Sequence, residues 1–267
     1  MKSRLVKDVL IPAVFYSFLI LVCQTVVVIG FEVFYVARLA GTGLNAALAE
    51  AADALLKNES IILIIGDFAA LAVIFIVSRV KKVSFFGYVG LRKSVPLKTV
   101  LISVSVGFWL YIWVSFMLSA LPIPDEWLES YASYSEVLET DSAVAFISTV
   151  IAAPLTEEIV FRGLVYKYFR ICMPEYGALF IQAIIFAAYH GPTFLWMAYA
   201  FVCALVLGYV VMLTGSVRTS IALHTVFNLC GYLLEKVENE TVFTVLAFMS
   251  PVLLIFSVYG LYRQTSK

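Results

Sequence analysis

Apolar residues fall into eight runs along this chain, at about 10–37, 60–78, 98–121, 142–166, 176–190, 194–214, 217–234 and 241–262. Runs of roughly 17 to 25 residues suit helices that cross a hydrocarbon core about 30 Å thick. The pattern predicts an all-α fold: a polytopic membrane protein of about eight transmembrane helices surrounding a polar intramembrane cavity. The first run is too long for a cleavable signal peptide. No internal repeat, low-complexity tract or linker divides the chain, and half-helix symmetry of the transporter kind is not evident, so residues 1–267 read as a single membrane domain.

Composition agrees with the pattern. The 267 residues are 63% hydrophobic and 13% charged, with a mean hydropathy of +0.99, which excludes an ordinary soluble domain. The four cysteines, Cys23, Cys172, Cys203 and Cys230, lie in or beside apolar runs without a close pair, so neither a thiol redox motif nor a cysteine metal site is indicated.

Net charge is zero, but the cations segregate by connection. One set of segments carries Lys2, Arg4 and Lys7, then Arg79, Lys81, Lys82, Arg92, Lys93 and Lys98, then Lys167 and Arg170, then Arg218, and last Arg263 and Lys267. The alternate segments carry only Arg38, Lys57 and Lys236. An excess of Lys and Arg marks cytoplasmic loops, so both termini are expected in the cytoplasm and the chain in the cell membrane. The outward segment from Pro122 to Asp141 holds six acidic residues and no basic one. Within it Trp127, Tyr131, Tyr134 and Leu138 recur at helical spacing, which fits an aromatic helix in the outer interface as well as a solvated acidic loop.

The polar residues inside the runs carry the chemical information. Pro154, Glu157, Glu158 and Arg162 interrupt the fourth run, where each ionisable group costs about 2.5 to 3.5 kcal/mol on insertion scales. Glu158 and Arg162 stand at i and i+4 and face one way, whereas Glu157 points about 100° away with no partner in its own helix. Pro154 removes an amide, is expected to kink the helix and is expected to leave the carbonyl of Val150 unbonded. The fifth run is short and stops at His190, followed by Gly191 and Pro192, a helix ending that requires a polar surrounding at that depth. His224 and Asn228 share a face of the seventh helix. Glu32 and Asp67 also sit in apolar runs, either as functional carboxylates or as groups near a boundary or cavity wall.

These residues resemble the CPBP intramembrane proteases, the family of type II CAAX prenyl endopeptidases, bacteriocin-processing enzymes and abortive-infection proteins. The family's EExxxR, FxxxH and HxxxN motifs match Glu157-Glu158-Ile159-Val160-Phe161-Arg162, Phe186-Ala187-Ala188-Tyr189-His190 and His224-Thr225-Val226-Phe227-Asn228, without departure at the motif positions. The resemblance covers about 142–235, which it marks as the catalytic core, and implies an eight-helix membrane protease with Glu157 as the water-activating carboxylate.

Amide hydrolysis needs a base for water, donors for the oxyanion and an acid for the leaving amine. Glu157, desolvated and unpaired, suits proton shuttling; His190 can orient the same water, and His224 and Asn228 can donate to the oxyanion. Glu158 and Arg162 form the supporting pair. There is no HExxH, no GxSG and no GxGD, since Ile64 stands where the last motif needs its first glycine. Two readings compete with an endopeptidase: an ion- or proton-coupled transporter, and a catalytically silent immunity or scaffold protein. No metal or other cofactor is favoured; the alternative is Zn2+ held by Glu157, His190 and His224, two imidazoles and a carboxylate with a position left for water. The expected partners are a membrane-embedded or lipidated peptide or protein, CAAX-type or a leader peptide, and the lipid bilayer; no nucleic acid is expected.

Overall fold

A computed structural model describes residues 6–39, 41, 43–138, 142–191, 193–234 and 240–266. The expectations on Lys2, Arg4, Asp141, Pro192, Lys236 and Lys267 lie outside the described residues, and so do those on the side chains of Tyr134 and Leu138. The principal helices are α1 (Ile11–Arg38), α2 (Leu44–Lys57), α3 (Glu59–Val80), α4 (Leu97–Ala120), α5 (Asp125–Leu138), α6 (Ala143–Cys172), α7 (Glu175–Tyr189), α8 (Phe194–Thr214), α9 (Val217–Leu234) and α10 (Glu240–Thr265). No strand occurs among the described residues.

Each of the eight apolar runs is a helix. Six of them, α1, α3, α4, α6, α8 and α10, are long and apolar enough to cross a membrane, and the chain is a polytopic all-α membrane protein. The remaining two, α7 and α9, carry the two histidines. At 15 residues α7 extends about 22 Å, short of the hydrocarbon thickness, and the chain turns back at His190.

Two of these principal helices lie outside the eight runs. The acidic segment adopts the helical alternative as α5, and its aromatic residues pack on the start of α8, Trp127 against Phe194 (4.8 Å between ring centroids) and Tyr131 against Trp196 (4.9 Å). Helix α2 had no counterpart in the hydropathy pattern. Its buried face is Ala47, Ala51 and Ala54, at helical spacing but too small to register as an apolar run, and it packs on α1.

The bundle is built around α6, the most buried of the six long helices. Ile159, Val160, Phe161 and Leu164 form its core face against α1 and α7. Helix α4 packs along α9 and α10, and α7 and α8 form a hairpin. Gly107 on α4 permits a close approach to α9: a Cβ there would stand 2.4 Å from the carbonyl oxygen of Leu223. The outer faces remain apolar, with Val14, Phe18 and Val22 of α1 and Phe248, Val252, Ile255 and Phe256 of α10 exposed, as lipid contact demands.

Basic residues from separate connections meet at one end of the bundle. Lys81 Nζ donates to the Tyr168 hydroxyl (3.2 Å), Lys167 Nζ to the Tyr88 carbonyl (2.8 Å), Lys93 Nζ to the Thr214 carbonyl (2.7 Å) and Arg218 Nε to the Leu91 carbonyl (2.8 Å). Helix α8 ends there on Gly215, whose φ of +65° is left-handed backbone suited to glycine.

Candidate active site

The helix that carries the paired glutamates departs from α geometry on both sides of them. Ser142 caps its start, its hydroxyl accepting from the Ala145 amide (3.0 Å). Ile147–Ala152 and Glu158–Val165 are π-helical, and the short α segment Ala153–Glu157 lies between them. Wide turns of this kind are rare and concentrate at functional sites. They correct the expectation for Pro154. In the π register the Ala153 amide donates to Ser148 O, five residues back, so the acceptor that Pro154 cannot serve is Thr149 O rather than Val150 O. Asn228 Nδ2 donates to that carbonyl (2.8 Å). The last residue of the HxxxN motif thus meets an acceptor freed by a proline on another helix.

Glu158 and Arg162 are buried outright, at 0% and 1% exposure. Arg162 Nη1 donates to Glu158 Oε1 at 2.8 Å, and His224 Nδ1 reaches the same oxygen at 2.9 Å. Arg162 Nη2 also approaches the Ala204 carbonyl (3.4 Å), and its guanidinium lies 4.2 Å from the Phe186 ring centroid. Sequence reasoning paired Glu158 with Arg162 alone; the structure adds His224 to the pair and gives Phe186 two tasks. Its ring contacts both Arg162 and the His190 ring, the latter tilted at 38° with centroids 4.1 Å apart, and its carbonyl accepts from His190 Nδ1 (2.8 Å).

Glu157 faces the histidines. Its Oε2 stands 3.7 Å from His190 Nε2 and 4.0 Å from His224 Nε2, and the three side chains retain 10%, 18% and 9% exposure. Each histidine uses Nδ1 on an acceptor, the Phe186 carbonyl for one and the Glu158 carboxylate for the other. A carbonyl cannot donate, so His190 Nδ1 carries a hydrogen, and a neutral ring at this position holds its lone pair on Nε2, on the side of Glu157. Three helices, α6, α7 and α9, therefore direct two ring nitrogens and one carboxylate oxygen to one point.

Among the described residues no group of three or more His, Cys, Asp or Glu side chains is placed to hold a metal ion. Two ligands of one tetrahedral zinc stand roughly 3.4 Å apart, less than the 3.7 and 4.0 Å between Glu157 Oε2 and the imidazole nitrogens.

The two other carboxylates of the apolar runs differ in setting. Glu32 is exposed on α1. Asp67 is buried, 3% exposed, on the face of α3 that packs on the segment Ala153–Glu157.

Glu157, Glu158, Arg162, His190, His224 and Asn228 fall within one stretch that also matches a protein-family model. Residues 139–230 match the model for Rce1-like type II CAAX prenyl endopeptidases. The match spans about a third of the chain and contains all three motifs, in agreement with the resemblance read from the residues. No curated protein and no solved structure matches the chain.

Proposed function

We propose that the chain is an intramembrane endopeptidase that hydrolyses a peptide bond of a membrane-anchored or hydrophobic substrate, CAAX-type or a leader peptide, with Glu157 activating water. The reading is carried by the convergence of Glu157 Oε2, His190 Nε2 and His224 Nε2 at 3.7 and 4.0 Å, while Glu158 is held by Arg162 and His224. That division of labour, one committed carboxylate and one beside two imidazoles, is what general-base hydrolysis needs. It also argues against a transport path, in which both carboxylates would have to exchange partners as the ion passes.

In this mechanism a water molecule lies between Glu157 and His190. Glu157 takes one proton from it as the oxygen attacks the scissile carbonyl, and His190 Nε2 accepts a hydrogen bond from the remaining O–H. The oxyanion forms toward α9, where His224, its Nδ1 held by Glu158, turns Nε2 to it. Asn228 spends one N–H on Thr149 and keeps the second for the oxyanion. Glu157 then returns its proton to the leaving amine.

The test compares membrane proteomes of cells carrying the wild type and Glu157→Gln, followed by cleavage of the identified peptide by purified protein. A peptide terminus present only with wild type is expected, and the variant should lose about 100- to 10,000-fold in rate, the usual contribution of a general base, while keeping its melting temperature. Turnover of Glu157→Gln near that of wild type would sink the mechanism.

A further inference from the structure

Asp67 is a buried carboxyl in a membrane-crossing helix, and the hydrolytic scheme gives it no task. Such groups are costly, and in membrane helices they mark function. Its surroundings are specific. Gln24 Nε2 on α1 donates to Asp67 Oδ1 (3.1 Å), and Gln24 Oε1 accepts from the Tyr189 hydroxyl (3.2 Å) on α7. Gln24 is fixed by close packing: a Cβ on Gly66 would stand 2.6 Å from its Cγ and 2.9 Å from its Cα, so only glycine at that position lets α1 and α3 approach this closely.

The hydrogen-bonded chain ends at the active site. Tyr189 precedes His190 in sequence, its ring meets the His190 ring edge-on at 5.4 Å, and it packs on Phe161 at 5.5 Å. At its other end Asp67 lies on the helix that packs against the segment carrying Glu157. Helices α1 and α3 lie outside the three motifs, yet one glutamine joins them to the last turn of α7, where the backbone leaves helical geometry at Gly191, with φ +130°.

We propose that Asp67, Gln24 and Tyr189 are positioning residues that fix His190 against Glu157: Asp67 holds the amide of Gln24 in the one orientation that presents Oε1 to Tyr189. The amide is the key to the arrangement, because an acceptor on its N–H side keeps Oε1, and not Nε2, turned to the Tyr189 hydroxyl. This inference rests on the peptidase reading, and its test has one arm that needs no substrate.

In the kinetic arm, Asp67→Ala and Tyr189→Phe should each lower kcat about tenfold or more, as misplacement of a catalytic group does, with KM within twofold of wild type. Asp67→Asn presents an oxygen acceptor to the Gln24 amide and should restore kcat to within about threefold of wild type. Because the residues act as one network, the double variant Asp67→Ala/Tyr189→Phe should be no slower than the slower single variant. In the second arm, the imidazole 15N resonances of His190, assigned with His190→Gln, should shift in Tyr189→Phe and Asp67→Ala but not in Asp67→Asn. Tyr189→Phe deletes a single oxygen, so it reports even where Asp67→Ala fails to fold. Unchanged His190 resonances in Tyr189→Phe would overturn the inference, as would multiplicative kcat losses in the double variant. Absence of any cleavage by wild type, with the resonances shifted, would overturn the peptidase reading and leave the positioning network standing.

Discussion

The pair formed by Glu158 and Arg162 gives a prediction whose size can be worked from the structure. Both side chains are buried, their contact is 2.8 Å, and Glu158 Oε1 also serves His224. Removing one member leaves an uncompensated charge at depth, which costs about 3 to 5 kcal/mol. Glu158→Gln keeps an oxygen for His224 and belongs near the lower figure. Arg162→Met also forfeits the guanidinium over Phe186 at 4.2 Å, a contact of about 2 kcal/mol when desolvated, and belongs near the upper one. At roughly 2 to 4 °C per kcal/mol for a chain near this size, the melting temperature in detergent should fall by about 6 to 20 °C. The double variant Glu158→Gln/Arg162→Met leaves no lone charge and fills the space with an apolar chain of similar length. It should melt no lower than the worse single variant, at a cost of about 5 rather than the summed ~8 kcal/mol, a coupling of about 3 kcal/mol. Its activity should stay low, because His224 has lost the carboxylate that orients it. Single variants that melt like wild type, or a double variant whose loss equals the sum of the singles, would show that the pair does not hold α6 as argued.

Three further outcomes follow from the same geometry. Gly107→Ala drives a methyl group to 2.4 Å from Leu223 O, next to His224, whereas a Cβ on Gly231 meets only Tyr111 at 3.5 Å; the first should cost about 1 to 3 kcal/mol and much of the activity, and Gly231→Ala should cost neither, as thermal melts and cleavage assays will show. Dialysis against a strong zinc chelator should leave activity intact, and elemental analysis should find no stoichiometric metal; one zinc per chain whose removal abolishes cleavage and whose return restores it would make His190 and His224 ligands. With the four native cysteines replaced by serine, Ile221→Cys on α9, between Arg218 and His224, should react with a membrane-impermeant thiol reagent applied from the cytoplasmic side, and labelling only from outside would reverse the topology.

Positions of the eight main helices were legible along the chain because lipid offers no partner for backbone amides, so each crossing segment must satisfy its own hydrogen bonds and declare itself by composition. Helix α2 escaped that reading because the face it buries is alanine, which packs closely without raising hydropathy. Within a helix, spacing sufficed to pair Glu158 with Arg162 and to set Glu157 apart, since an i, i+4 relation is local geometry. It did not suffice for the register around Pro154: the π turns move the orphaned acceptor from Val150 to Thr149, and only the neighbouring α9 shows what serves it. Nor does any local rule bring Gln24 to Asp67 or Tyr189 to Gln24, positions 43 and 165 residues apart. Those contacts depend on how closely α1 and α3 approach at Gly66 and where α7 stops. Sequence determined which residues carry charge and hydrogen-bonding capacity inside the membrane; packing decided which of them meet, because in lipid that depends on the fit of helix surfaces rather than on hydrophobicity.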